Sequence, residues 1–142
     1  MYSPQLYIVG LAAVGFIVTL IVARICVHRW VRWAERVADY GTTAILNAED
    51  VDSDDAVARL RTEFDAWSIL VKDGTARFCL DGDAHRVHFF STSPSPDVTG
   101  FNDEHRYIRD ATAERVRRLR ELAARLEQGQ PALREVWVPR IN

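Results

Sequence analysis

The chain has 142 residues, a formal net charge of −2 and a hydrophobic content of 48%. About 95 residues follow the first long helical stretch, which is enough for one small domain and too few for two. Neither half is basic enough to predict nucleic acid as a partner.

The first feature is an apolar run over residues 6–23 that contains no charged side chain. A hydrocarbon core of about 30 Å requires roughly 20 apolar residues in a helix. Arg24 can reach the headgroups while the apolar length continues to residue 27. We therefore expect a transmembrane helix over residues 6–27, after a short extracytoplasmic N-terminus, residues 1–5. Residues 1–5 carry no Lys or Arg and the run ends without a small-residue cleavage motif, so we expect a retained anchor.

The basic flank of the span predicts its orientation. Basic flanks stay cytoplasmic, so the N-terminus should lie outside and the C-terminal domain in the cytoplasm, at the cell (inner) membrane. Anionic lipid headgroups are the expected partners of this flank. The side chains predicted at the membrane interface are Arg24, His28, Arg29, Trp30, Arg32, Trp33 and Arg36.

Residues 28–46 form a basic amphipathic segment with apolar side chains at helical spacing. Two alternatives stay open. The segment lies in the membrane interface with its apolar face down, or it continues as a stalk whose apolar stripe packs on a partner helix or on the soluble domain.

Residues 47–55 contain five carboxylates and are predicted to be an acidic linker. Ser53 is a suitable N-cap for a helix with an apolar stripe. Lys72 and Gly74 resemble a helix stop. The stripe consists of Val57, Leu60, Phe64, Trp67 and Val71.

After this helix the pattern predicts a β-hairpin over residues 75–80 and 85–90, with a turn at residues 81–84. A loop over residues 91–100 precedes a helix from Asn102 or Asp103 to about Gln128, and residues 133–138 read as an edge strand. We therefore expect residues 56–142 to form a small cytoplasmic α+β domain of order α-β-β-α-β with an antiparallel sheet.

Catalytic and metal-binding patterns are weak. The candidate metal ligands His85, His88, His105 and Cys79 do not have the spacing of known metal motifs. Cys79 with His88 is the best nucleophile and base pair, but a mid-strand cysteine lacks the helix N-terminus that would lower its pKa. We expect no catalytic residue, no metal and no cofactor.

The most basic run lies in the last predicted helix and contains Arg115, Arg117, Arg118 and Arg120. It could bind an anionic partner. Glu114, Glu121 and Glu127 interleave with it, so a solvated face with salt bridges is favoured.

These features favour a single-pass, membrane-anchored interaction or accessory protein, and not an enzyme. A protein partner of unidentified kind is expected, and homo-oligomerisation is left open. Seventeen arginines against one lysine indicate a high-GC genome, bacterial or viral. The alternative is a small membrane-active factor of the lysis or exclusion type, and a membrane-bound enzyme is the least favoured hypothesis.

Overall fold

The structure is a computed structural model that describes residues 3–78 and 96–128. It contains three helices: α1 (Pro4–Gly41), α2 (Asp54–Phe78) and α3 (Asp103–Glu127). One π-helical turn, Thr42–Leu46, extends α1 without a break. Helices account for 85% of the described residues, and none of those residues belongs to a strand.

The predicted α+β fold with an antiparallel sheet is therefore wrong. The first predicted strand, residues 75–80, begins inside α2. Thr75 is fully buried there, and its hydroxyl donates to the carbonyl of Val71 at 2.7 Å, one helical turn earlier. This bond satisfies a β-branched polar residue within a helix, which the strand pattern did not allow for. The other predicted strands, residues 85–90 and 133–138, lie outside the described residues.

Helix α2 also continues through the predicted stop at Gly74. The indole of Trp33 lies directly against Gly74, where a Cβ atom would come within 1.9 Å of Trp33 Cζ2. Glycine at this position therefore permits a close approach of α1 and α2 and does not end the helix.

Contacts along the helices give their directions. Trp67 of α2 contacts Gly41 of α1, and Gly74 contacts Trp33, so α1 and α2 are antiparallel. Arg120 of α3 pairs with Asp39 of α1 at 3.1 Å. Helices α2 and α3 run parallel to each other, since their first turns meet where the amide of Asn102 donates to Asp54 and their middles meet where Arg115 donates to Ser68.

The core lies between these three helices. Every residue of the predicted α2 stripe is buried, and so is the apolar side of α3. The second half of α1 supplies the third wall. Within residues 28–46, the apolar side chains pack on α2 and α3, so this segment belongs to the bundle. The α1 side chains in the core are Trp30, Val31, Ala34, Val37, Ala38 and, from the π-turn, Ile45.

The predicted helix starts are confirmed. The hydroxyl of Ser53 accepts from the backbone N–H of Ala56 at 3.2 Å, and the side-chain oxygen of Asn102 accepts from the N–H of His105 at 2.8 Å. Each cap satisfies one of the backbone donors that a helix N-terminus leaves open.

The first half of α1 makes a different kind of surface. Its large apolar side chains between Leu6 and Ile25 are 43% to 70% exposed. The segment Pro4–Leu46 is long and apolar enough to cross a membrane, and only 6% of its most apolar window is buried by the protein. This first half of α1 is therefore not part of the buried core of the bundle.

The Trp33 and Gly74 contact gives a stability prediction. Gly→Ala inside a helix ordinarily stabilises by about 0.5–1 kcal/mol. At Gly74 we expect the opposite, a loss of about 1–3 kcal/mol, because the new methyl group would overlap the indole. Chemical unfolding of the full chain in detergent micelles would measure it.

The matched background is Trp33→Ala, in which the indole is gone. In this background, Gly74→Ala should stabilise the protein, as Gly→Ala ordinarily does inside a helix. A destabilising effect of equal size in both backgrounds would show that the close contact is not the cause.

Candidate anion site at the base of the bundle

The base of the bundle is the end at which the exposed apolar half of α1 enters it. Because α2 and α3 run antiparallel to α1, their C-terminal turns lie at this same end. Arg77 in the last turn of α2 is therefore brought close to the arginines that follow the apolar run in α1.

A cavity of about 500 Å³ opens at this base. Four arginines contribute to its lining, three from α1 and one from α2. The described residues that line it are Cys26, Arg29, Arg32, Trp33, Arg36, Gly74 and Arg77.

Helical spacing explains the α1 contribution. Arg29, Arg32 and Arg36 stand at i, i+3 and i+7, which places them along one side of the helix. Trp33 lies among them, half-buried, with its ring on Gly74 and tilted against Trp30 at a centroid distance of 6.1 Å. The indole thus holds the two helices together where the arginines converge.

The electrostatics of the cavity are one-sided. Among the described residues, no carboxylate lines it, and none of its four guanidinium groups forms an ion pair with a described Asp or Glu. Four like charges around one cavity repel each other, and a bound anion would offset that repulsion. Guanidinium groups present paired N–H donors that match the oxygens of phosphate and carboxylate.

The other predicted interface residues separate into two groups. Arg24 and His28 are exposed at the junction of the apolar half and the bundle. Trp30 is 0% exposed and belongs to the core, so its ring has no surface to present to headgroups. Trp33 is shared between the core and the cavity wall.

The predicted anionic-partner patch on α3 does not form one basic surface. Arg115 is only 2% exposed; its guanidinium lies 4.9 Å from the Phe64 ring centroid and donates to the Ser68 hydroxyl. Burial lowers the pKa of this guanidinium to about 10. Arg115 therefore joins α3 to α2 within the bundle.

The three remaining arginines of this patch are paired with acids. Arg117 and Arg118 both bond Glu114, at 2.6 and 3.1 Å, and Arg120 bonds Asp39 of α1. The hydrogen bond from Arg117 is the main reason that the pKa of Glu114 lies below its ordinary value, with a second contribution from Arg118. This face has the salt bridges that the interleaved acids predicted.

The candidate metal ligands are not brought together in the part of the chain that the structure describes. No group of three or more His, Cys, Asp or Glu side chains is placed to hold a metal there. His105 instead caps the start of α3, where its Nδ1 accepts from the N–H of Phe101 at 2.9 Å. Cys79, His85 and His88 lie outside the described residues.

The bonding of His105 gives a pH prediction. Burial, with a smaller effect of Arg109, lowers the pKa of this imidazole below 6.5. His105 therefore binds a proton more readily in the unfolded chain than in the folded one. The free energy of unfolding should fall as the pH drops below about 6.5, and it should stop falling once the pH is below the pKa of His105 in the folded state. Unfolding of the full chain in micelles between pH 7 and 5 would measure this slope.

The control is His105→Asn, whose side-chain oxygen can accept from the same N–H without titrating. It should flatten the slope over this range. Glu114 contributes in a lower pH window, because its pKa lies below 4.5. An unchanged slope in His105→Asn would assign the dependence to another group.

Sequence reasoning found three arginines of the cavity and missed Arg77 and Gly74. The pattern made Gly74 the stop of the helix and placed Arg77 in a β-strand. A helical reading of residues 68–78 would have placed Arg77 three residues after Gly74, on the side of α2 that faces α1. Comparisons with protein-family models, curated proteins and solved structures find no match for this chain.

Proposed function

We propose that this chain is a single-pass membrane protein whose first helix both anchors it and forms one wall of a cytoplasmic helical domain. The domain then acts as an interaction or accessory module held at the membrane surface. The observation that carries the proposal is the change of surface along α1, from uniformly exposed and apolar before Ala23 to buried on one face from Trp30 onward.

Water is a poor environment for the first half of α1. Soluble monomers rarely expose contiguous apolar patches larger than a few hundred Å². A helix whose apolar side chains are exposed on all sides is suited to lipid, which surrounds it equally. A run of 18 residues, 6–23, extended by residues 25–27, matches the thickness of a bilayer core.

The continuity of α1 supports a retained anchor. A signal peptide ends at a small-residue cleavage site, and the run here is followed by Arg24 instead. The helix passes this point without a break and enters the core within two turns. The same packing disfavours residues 1–46 as an independent membrane-active factor, because Trp30 and Val31 are used in the bundle.

The direction of insertion follows from charge. Arg24, Arg29, Arg32 and Arg36 all follow the apolar run and no basic side chain precedes it, which favours an external N-terminus and a cytoplasmic bundle.

Full-length protein expressed in a bacterial host tests this proposal. It should stay in the membrane pellet after alkaline carbonate washing, since a spanning helix is not released by removing peripheral charges. A reporter that is active only outside the cytoplasm should be silent when fused to Asn142. Recovery of the intact chain in the aqueous fraction would contradict the anchor, and an active reporter would contradict the orientation.

A matched variant tests the reason for the orientation. Ser3→Lys with Gln5→Lys, combined with Arg24→Gln and Arg29→Gln, removes the charge difference across the span, because two basic side chains then stand on each side of it. We expect a substantial fraction of this variant to insert with Asn142 outside. The control pair Ser3→Gln with Arg59→Gln leaves the charges on both flanks of the span as they are and should keep the original orientation.

A further inference from the structure

We propose that the cavity at the base of the bundle is a binding site for one phosphate group, supplied by the headgroup of an anionic phospholipid in the cytoplasmic leaflet. The inference that a phosphate group binds here depends on the geometry of the cavity. The inference that a lipid supplies this phosphate depends on the membrane anchoring proposed above.

The lining of the cavity is what distinguishes this site from a general basic flank. Three guanidinium groups come from one side of α1 and the fourth, that of Arg77, comes from α2. Only the folded bundle brings Arg77 to this position, because it stands 41 residues or more away from the α1 arginines in the chain. Arg24 and His28, although equally close to the apolar run, do not line the cavity.

The chemistry of the lining selects the class of ligand. Guanidinium groups bind oxyanions through paired, charge-assisted hydrogen bonds, and no carboxylate of the described residues competes inside the cavity. A volume of about 500 Å³ exceeds that of a phosphate group alone and leaves room for the adjoining part of a headgroup. The Trp33 indole supplies an apolar wall for that part.

The position of the cavity along α1 favours a lipid over a soluble anion. About 20 residues from Leu6 cross the hydrocarbon and end near Ile25. Arg29 then stands about 6 Å further, within a polar headgroup layer about 5–8 Å thick. Arg77, three residues beyond Gly74 in antiparallel α2, lies about 4–5 Å closer to the membrane than Trp33. Arg29 and Arg77 therefore stand at the level of lipid phosphates.

Native mass spectrometry of the full chain tests the site. The protein is released from micelles that contain phosphatidylcholine and a minority of phosphatidylglycerol, and the retained lipid is counted. We expect one phosphatidylglycerol per chain in preference to phosphatidylcholine. Arg77→Gln and Arg32→Gln, on different helices, should each weaken this retention about tenfold, the effect of losing one charge-assisted contact.

Two variants with the same charge change serve as controls. Arg24→Gln removes an arginine at the membrane junction outside the cavity, and Arg59→Gln removes one from the far end of α2, about 27 Å along the helix from Arg77. Both should retain the lipid as the unmodified chain does. Equal losses in Arg24→Gln and Arg77→Gln would show diffuse attraction and overturn the proposal, as would the absence of any preference for the anionic lipid.

A second arm separates the two sources of phosphate. Millimolar inorganic phosphate is added to protein in micelles of phosphatidylcholine alone, and thermal unfolding is followed by circular dichroism. Retention of phosphatidylglycerol with no shift from inorganic phosphate supports the lipid source. An Arg77-dependent shift from inorganic phosphate without lipid retention overturns it in favour of a soluble anion.

The same measurements keep this inference apart from the proposed anchoring. Unfolding curves without ligand check that Arg77→Gln and Arg32→Gln are folded, as expected for exposed side chains. Carbonate extraction tests only whether the chain is anchored in the membrane, and Arg77→Gln should not change its result. A chain that is retained in the membrane but shows no cavity-dependent lipid binding would defeat this inference and leave the anchor standing.

Discussion

The structure depends on a reciprocal pair of contacts between α1 and α2, in each of which a tryptophan lies on a glycine of the other helix. Trp67 lies on Gly41, where a Cβ would come within 2.5 Å of its ring, and Trp33 lies on Gly74. The tryptophan and the glycine are eight residues apart in α1 and seven apart in α2, so both pairs span about two turns of antiparallel helices. The Trp67 indole also donates to the carbonyl of Val37 at 2.9 Å, which fixes the axial register.

This register decides what meets at each end of the bundle. With Trp33 on Gly74, Arg77 reaches the level of Arg29 and joins the cavity. With Trp67 on Gly41, the π-turn Thr42–Leu46 contacts both α2 and α3, and Ile45 enters the core. A slip by one turn would move Arg77 away from the level of Arg29 and leave neither indole with a glycine beneath it.

Much of the helical framework could be predicted from sequence because its signals are local. The apolar run, the caps Ser53 and Asn102 and the stripes of α2 and α3 each depend on residues within a few turns of each other. The end of α2 could not be predicted in this way. Gly74 has the same local context as a helix stop, and only the Trp33 side chain, 41 residues earlier, gives it a different role.

The candidate site likewise combines residues that local sequence patterns predict with one that they do not. The arginines of α1 are visible as a spacing pattern, whereas the contribution of Arg77 depends on the direction in which α2 runs. Arg115 shows the reverse case: it belongs to the most basic run of the sequence, yet it is buried over Phe64 because it falls on the apolar side of α3. A count of charges along the chain cannot separate a guanidinium in the core from one at a cavity.

The parallel direction of α2 and α3 also gives the bundle a charge polarity. Acidic side chains in the first turn stabilise a helix through its dipole, and both helices use them: Asp54 and Asp55 in α2, Asp103 and Glu104 in α3. Because the two helices are parallel, these acids lie at one end, near the acidic linker, while the arginines of the cavity lie at the other. At the anionic membrane surface proposed above, such a bundle would be attracted at its base and repelled at its far end, so the charges that stabilise the separate helices would also favour an upright domain.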